Sequence, residues 1–188
     1  MGFITLVVLG LIALYFMFTY NSLISIKNNI AKAWANIDVL LKQRHDELPK
    51  LVDTCKIYMQ HEQATLEGVI KARAGVDSAR EAQDITALSA AETTLRSNLG
   101  GLFALAENYP DLKADASFNA LQNRITGLEN AIADRREFFN DTVNLNNTRV
   151  QQFPDLIVAK LFGFGDKSLL QFAAAELKDV DISARFKA

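Results

Sequence analysis

The first 26 residues of the chain contain no Asp, Glu, Lys or Arg, and the first charged side chain is Lys27. From Phe3 to Phe18 this segment is apolar apart from Thr5 and Gly10. A bilayer core about 30 Å thick needs about 20 apolar helical residues, so the segment is long enough to cross it. It has neither the basic N-terminal region nor the small-residue cleavage site of a secretory signal. We therefore expect an uncleaved anchor rather than a cleaved signal or a buried core helix.

Cysteine, histidine and proline are also scarce, with one, two and three residues in 188. Cys55 alone excludes an internal disulfide and a cysteine-based metal site. His45 and His61 both lack the acidic residue three positions earlier that di-metal helical bundles use, so we expect no metal and no cofactor. No nucleophile elbow, phosphate-binding loop or dinucleotide fingerprint is present, so we predict no catalytic residues and no enzyme. Few prolines and the absence of β-branched runs predict an all-α fold.

Charge limits the partners and the orientation of the protein. The formal net charge of −2 argues against nucleic acid as a partner, because nucleic-acid binding needs a basic face. Four basic side chains follow the anchor, namely Lys27, Lys32, Lys42 and Arg44. Basic residues tend to remain on the cytoplasmic side, so we predict a single-pass protein with an outside N-terminus and a cytoplasmic body.

The first soluble helix is predicted to be continuous with the anchor. Apolar residues recur at helical spacing from Leu23 to Val69, and no Gly or Pro interrupts residues 19–30. The pattern predicts one helix that ends near Gly75. Pro49 lies inside it and lacks the N–H that would bond a carbonyl four residues earlier, so a kink is expected there.

Two further long helices and shorter C-terminal ones follow from capping signals and periodicity. Asp84 is the predicted N-cap of a second helix that stops before Pro110, and Gly100-Gly101 within it would allow a close helix–helix approach. Asp115 or Ser117 caps a third helix that runs to about Val150. A short helix over residues 155–162 and another over residues 166–178 complete the pattern. The predicted domains are an anchor (1–26), a helical bundle (27–165) and a C-terminal helix and tail (166–188).

Several short motifs extend from Tyr20-Asn21 to Phe153-Pro154, and their order and spacing are specific together. Between these two lie Trp34-x-x-Ile37-Asp38-Val39, Leu48-Pro49-x-Leu51-Val52, Tyr58-x-x-His61-Glu62, Glu107-x-Tyr109-Pro110-Asp111-Leu112-Lys113, Phe118-x-x-Leu121-Gln122 and Arg136-x-x-Phe139-Asn140, among others. In these motifs the chain resembles the LemA family of bacterial membrane-anchored helical proteins. Two positions depart from the family pattern: Leu145 stands where the family more often has Tyr, and Glu47 replaces an apolar residue.

The resemblance implies an antiparallel bundle of long helices behind one transmembrane helix of the bacterial inner membrane. It implies no catalytic activity, because the family has no established one. Since related proteins are linked to membrane organisation, the leading hypothesis is a non-catalytic structural protein that self-associates and scaffolds or shapes the membrane. The alternative is an adaptor or accessory signalling subunit that docks another membrane protein. Membrane lipid is an expected partner in both cases.

Charged side chains on or beside the apolar faces predict an interhelical polar network. The candidates are Arg44, Glu62, Glu129 and Arg136. They could form a polar site inside the bundle, or a pairing layer that fixes helix register, which is the better attested use of buried polar groups. We favour the pairing layer.

A mismatch of helix lengths predicts an oligomer. If the first helix continues to about Gly75, the second helix is too short to cover the membrane-proximal half of its apolar face. The candidate oligomer face is Leu23, Ile26, Ile30, Trp34, Ile37 and Leu41. Either the far end of the chain folds back over this face, or other copies cover it, and we favour the homo-oligomer. The apolar segment 150–164 is predicted to pack on the bundle, on a membrane or on a neighbouring copy.

Overall fold

Six helices and no strand occupy residues 1–171, the part of the chain that the computed structural model describes. The helices are α1 (Gly2–Tyr58), α2 (Gln63–Glu81), α3 (Ile85–Ala106), α4 (Pro110–Ala114), α5 (Ala116–Gln151) and α6 (Asp155–Leu161). They contain 85% of the described residues, which confirms the all-α prediction. The chain divides into two compact units, and both α1 and α5 contribute residues to each of them.

The first unit contains residues 1–40 and 131–169. Within it α1 and α5 run antiparallel, because the ring of Trp34 lies 6.0 Å from that of Phe139 while Leu23 shares a core cluster with Val150. Helix α6 completes this cluster with Val158 and other apolar side chains. Helix α1 continues unbroken through residues 19–30, so the predicted continuity between the apolar segment and the following helix is confirmed.

The second unit, residues 41–130 with Leu170 and Gln171 among the described residues, contains four long helical segments and the short helix α4. Arg73 of α2 donates a hydrogen bond to the backbone of His45 of α1, and Leu66 of α2 lines the same pocket as Val52 of α1. Helices α1 and α2 are therefore antiparallel. Close approaches of Gly68 to Asn98 and of Gly75 to Ala91 make α2 and α3 antiparallel. The start of α5 returns along α1, since Asp115 bonds Tyr58 and Glu129 bonds Arg44.

The prediction that the first helix continues to Gly75 is wrong. Helix α1 ends at Tyr58, and residues 59–62 form a turn before α2 begins at Gln63. Met59 is fully buried in this turn, so the chain reverses over an apolar contact rather than at a Gly or Pro. From Lys27 to Tyr58 helix α1 is about 48 Å long, and α5 is about 54 Å, at 1.5 Å per residue. The premise of the length mismatch therefore fails.

The carbonyl that Pro49 leaves without its helical donor has a partner in another helix. Pro49 lies inside α1, and a proline cannot donate to the carbonyl four residues earlier, here that of His45. Arg73 Nε donates to the His45 carbonyl oxygen over 2.9 Å. Pro49 and Arg73 together therefore fix α2 against α1 at this level, and the expected kink stays a prediction.

The glycines that permit the closest helix approach are not the predicted ones. A Cβ atom added at Gly100 or Gly101 would meet nothing within 4 Å, so the close contact expected there is wrong. A Cβ atom at Gly68 would lie only 2.8 Å from the Asn98 side-chain oxygen. The glycine that permits a close helix approach is therefore Gly68 on α2, where this helix packs against α3.

Several helix boundaries agree with the capping signals. Asp84 accepts hydrogen bonds from the backbone N–H groups of Thr86 (3.0 Å) and Ala87 (2.9 Å), as an N-cap does. Asp115, rather than Ser117, caps α5. Of the helix predicted over 166–178, residues 166–171 are not helical and the others lie outside the described residues. The boundaries after residues 26 and 165 stay predictions.

Candidate functional site

A buried ionic cluster lies at the centre of the second unit. Arg44 is 1% exposed, and its guanidinium donates to Glu92 over 3.0 Å and to Glu129 over 2.5 Å. A second guanidinium nitrogen of Arg44 also bonds Glu92, so that pair is bidentate. Arg96 Nε lies 3.0 Å from the other carboxylate oxygen of Glu129. Two cations and two anions from three helices therefore alternate in one cluster.

The cluster is built so that no helix can slide without separating charges. Burial by itself would lower the pKa of Arg44, but the carboxylates of Glu92 and Glu129 raise it above its ordinary value. The guanidinium therefore stays charged inside the bundle. The planar guanidinium group can donate to a carboxylate only where that carboxylate lies at a fixed position. The contacts of Arg44 therefore hold α1, α3 and α5 in one register. The arrangement is a structural pairing layer without a group positioned for acid–base chemistry.

The cluster contains two of the four predicted network residues. Arg44 and Glu129 are paired, as expected. Glu62 instead accepts a hydrogen bond from Tyr109 over 3.1 Å, and Arg136 belongs to the first unit. The inclusion of Glu62 and Arg136 in one network with Arg44 and Glu129 stays a prediction. Sequence reasoning missed two members of the cluster, Glu92 and Arg96. Glu92 lies next to Ala91 on the apolar face of the predicted helix. A Glu and an Arg four residues apart lie on one face of a predicted helix, which was the available signal for these two residues.

A second polar group surrounds His45. Arg73 Nη2 donates a hydrogen bond to the Nε2 atom of His45. Nε2 is therefore the acceptor, and the ring is neutral. Asp77 lies 3.8 Å from the Nδ1 atom. Burial and the neighbouring Arg73 lower the pKa of His45 below its ordinary value. The imidazole is thus held neutral as part of the α1–α2 contact.

The remaining reactive side chain is also inert in its surroundings. Cys55 is fully buried, and burial raises the pKa of its thiol to about 11. Because the thiolate is the nucleophile and the metal ligand, a protonated thiol has little reactivity at neutral pH. Within residues 1–171, no three His, Cys, Asp or Glu side chains converge on a position that could hold a metal ion.

The candidate oligomer face is largely covered by other residues of the same chain. Leu23, Ile26 and Ile37 are buried in the first unit, while Ile30 and Trp34 are half-buried there. Leu41 is buried in the second unit. The fold-back alternative is the one observed, because the second half of α5 lies against α1 in the first unit. The need for another copy to cover this face is thereby removed.

A carboxylate joins the end of the apolar segment to the C-terminal part of the first unit. Asp155, at the start of α6, accepts hydrogen bonds from the hydroxyl groups of Tyr15 (2.5 Å) and Thr19 (3.5 Å). Arg149 of α5 donates to it over 2.5 Å. Burial opposes the charge, but the bonds from Tyr15 and Arg149 together lower the pKa of Asp155 below its ordinary value. The rings of Tyr20 and Phe162 lie 4.7 Å apart beside this centre.

An apolar groove is present at the far end of the α1–α2 hairpin. It has a volume of about 600 Å³ and is lined by Val52, Met59, Leu66 and Ile70, with Lys56 and Lys71 at its rim. Its walls are side chains of the second unit alone. A concave apolar surface with a few charged groups is a common form of a binding site.

The fold and these sites define a helical-bundle protein with one candidate membrane-spanning helix and a structural charge cluster. Among the described residues, α1 has the length and composition to cross a membrane, and almost none of its apolar window is buried. Residues 33–184 match the LemA family, so the chain belongs to that family and the resemblance is confirmed. Comparison with curated proteins finds no significant match.

Proposed function

We propose that the protein is a non-catalytic structural component of the bacterial inner membrane, which self-associates and organises the bilayer around it. The observation that carries the proposal is the contact between the apolar segment and the domain. Tyr15 and Thr19 bond Asp155, and Phe16 packs against the core of the first unit. A signal peptide is removed and cannot form part of the mature fold. These contacts therefore support a permanent anchor whose orientation is transmitted to the domain.

Within residues 1–171 no catalytic group is assembled, which supports a structural role. The buried charges of the Arg44 cluster are paired with one another, and Cys55 is protonated and inaccessible. Catalytic sites usually place a perturbed acid, base or nucleophile in an open cleft. The apolar groove has no such group among its lining residues.

Self-association is proposed to use the outer face of α5 instead of the covered face of α1. Phe138 and Leu145 are seven residues apart, so they lie on one side of the helix, and about half of each side chain is exposed. A pair of large exposed apolar residues on one helix is a suitable contact for a second copy. Fixed anchors would orient such contacts in the membrane plane.

The proposal is tested by the mass of the purified full chain in nanodiscs or mild detergent, measured by light scattering. The wild type is expected as a defined oligomer, and Phe138→Ala/Leu145→Ala is expected to shift it towards the monomer. The matched control is Ile57→Ala/Ile70→Ala, which removes two exposed apolar side chains from the second unit and should leave the mass unchanged. A wild-type monomer across the accessible concentration range would contradict self-association.

The adaptor function is supported by the groove near Ile70. Its apolar walls suit the apolar side of an amphipathic helix of another membrane protein, while the rim lysines Lys56 and Lys71 are paired with Asp53 and Glu67. An adaptor would be monomeric alone and would bind a partner that Ile70→Asp releases. The same mass measurement thus separates the two functions.

The side of the membrane is proposed from charge. Lys27 and Lys32 follow the anchor closely, and basic residues tend to remain on the cytoplasmic side, so the domain is proposed to be cytoplasmic. A reporter protein that fluoresces only in the cytoplasm is therefore expected to fluoresce when it is fused to the C-terminus. Activity of a periplasm-specific reporter at the same position would reverse the orientation.

A further inference from the structure

Helix α6 presents two opposite faces of different character. Asp155, Val158 and Ala159 are buried against the first unit. On the other side Ile157 (49%) and Leu161 (67%) are exposed, and Phe153 (75%), in the turn before α6, is exposed as well. Ile157 and Leu161 are four residues apart, so they follow one another along one side of the helix. This outward side is called the α6 apolar face.

The contacts of α6 fix its level along α1. Asp155 accepts hydrogen bonds from Tyr15 and Thr19, and Phe162, directly after α6, packs against Tyr20 with tilted rings, so α6 lies beside residues 15–20. The apolar run from Phe3 to Phe18 rises about 24 Å, close to but short of the roughly 30 Å of a hydrocarbon core. Residues 15–20 therefore lie at the boundary between hydrocarbon and headgroups if the run crosses the bilayer.

We propose that the α6 apolar face is a second membrane contact, which inserts into the headgroup–acyl boundary beside the anchor. The inference rests on the proposed function in one respect, namely that residues 3–18 span a bilayer. The face is continuous with that span at Tyr15 and Tyr20, so lipid that surrounds the anchor also reaches α6. Interfacial helices of this kind place large apolar side chains below the headgroups.

The charges around the face suit a lipid surface as the occupant. Lys160 is exposed between Ile157 and Leu161, so its methylene stem can lie along the acyl chains while its ammonium group reaches phosphates. Arg149 and Asp155 neutralise one another at 2.5 Å on the inward side of α6. No uncompensated acidic group of α6 therefore faces the proposed lipid contact.

The test uses single cysteines labelled with an environment-sensitive fluorophore in the full chain, reconstituted into phosphatidylcholine–phosphatidylglycerol vesicles. Leu161→Cys reports on the α6 apolar face, and Leu6→Cys reports on the span. Val39→Cys is the matched control, an exposed apolar residue of α1 about 30 Å beyond Phe18 at the helical rise. Cys55 is fully buried, and the wild type treated identically gives its labelling background.

Two quenchers separate lipid from other surroundings. At position 161 we expect blue-shifted emission, at least threefold weaker quenching by aqueous iodide than at position 39, and strong quenching by lipids carrying a nitroxide near the headgroup. Iodide quenching at 161 equal to that at 39 would overturn the inference. Protection from iodide without nitroxide-lipid quenching would also overturn it, because a second copy rather than lipid would then cover the face. A fluorophore at position 6 is quenched by the lipid nitroxide if the anchor spans the bilayer. A lack of quenching at position 6 would overturn the proposed function, whatever position 161 shows.

Discussion

Replacing Arg44 by Met is expected to lower the free energy of unfolding by about 3–5 kcal/mol, because it leaves two carboxylates without their buried cation. Arg44 is 1% exposed and Glu92 is fully buried, so water cannot take the place of the guanidinium. The effect is measured by chemical unfolding of the full chain in detergent, followed by circular dichroism. Arg124→Met is the matched control. Arg124 pairs with Glu47 over 2.9 Å, but its side chain is 60% exposed, so a loss below about 1 kcal/mol is expected.

The same cluster permits a rescue that separates charge from packing. Arg44→Met/Glu92→Met replaces the buried pair by apolar side chains, while Glu129 keeps Arg96 as a partner. Apolar replacement of a buried ion pair is often neutral, so most of the loss should be recovered. If the double variant instead stays as unstable as Arg44→Met relative to the wild type, the pair contributes net stability and does not serve mainly to fix register.

Replacing Ile37 by Ala is expected to cost about 2–5 kcal/mol of unfolding free energy, the usual range for a buried Ile. Ile37 is fully buried on the side of α1 that the sequence suggested for contacts between copies. Because that side is covered by the same chain, the loss should not depend on protein concentration. Thermal unfolding at a hundredfold range of protein concentrations measures both quantities.

A neighbouring residue provides the control for this prediction. Val39 lies two residues further along α1 and is 54% exposed, so Val39→Ala should change stability by less than about 0.5 kcal/mol. A destabilisation by Ile37→Ala that disappears at high protein concentration would show instead that other copies bury the residue, since association stabilises by mass action.

Local signals were sufficient for much of the fold. The caps at Asp84 and Asp115 predicted the starts of α3 and α5, because a side-chain oxygen at that position satisfies free backbone N–H groups whatever the tertiary context. The turn at residues 59–62 carried no such signal. Met59 and Leu66 are seven residues apart, so the apolar spacing continues across the turn as it would in an unbroken helix. Tertiary burial of Met59 decides the reversal, and periodicity does not report it.

The charge cluster was predictable in kind but not in membership. Arg44 and Glu129 lie beside apolar faces, which indicates buried pairing. Glu62 lies in a similar position, and its pairing with Tyr109 follows only from the lengths and register of the helices. An error of one helix boundary also produced the predicted oligomer face. Once α1 ends at Tyr58, α5 is long enough to cover the remainder of α1 outside the apolar segment.

The central claim is that the apolar face of α1 beyond the anchor is covered by α5 of the same chain. Photo-crosslinking from p-benzoylphenylalanine at position 34 tests it directly, because the ring of Trp34 lies 6.0 Å from that of Phe139. Light and ¹⁵N-labelled chains are co-expressed, purified together, irradiated and analysed by mass spectrometry. Crosslinks between the peptides of residues 34 and 139 should join light to light and heavy to heavy only. Light–heavy pairs at the statistical fraction would contradict the account.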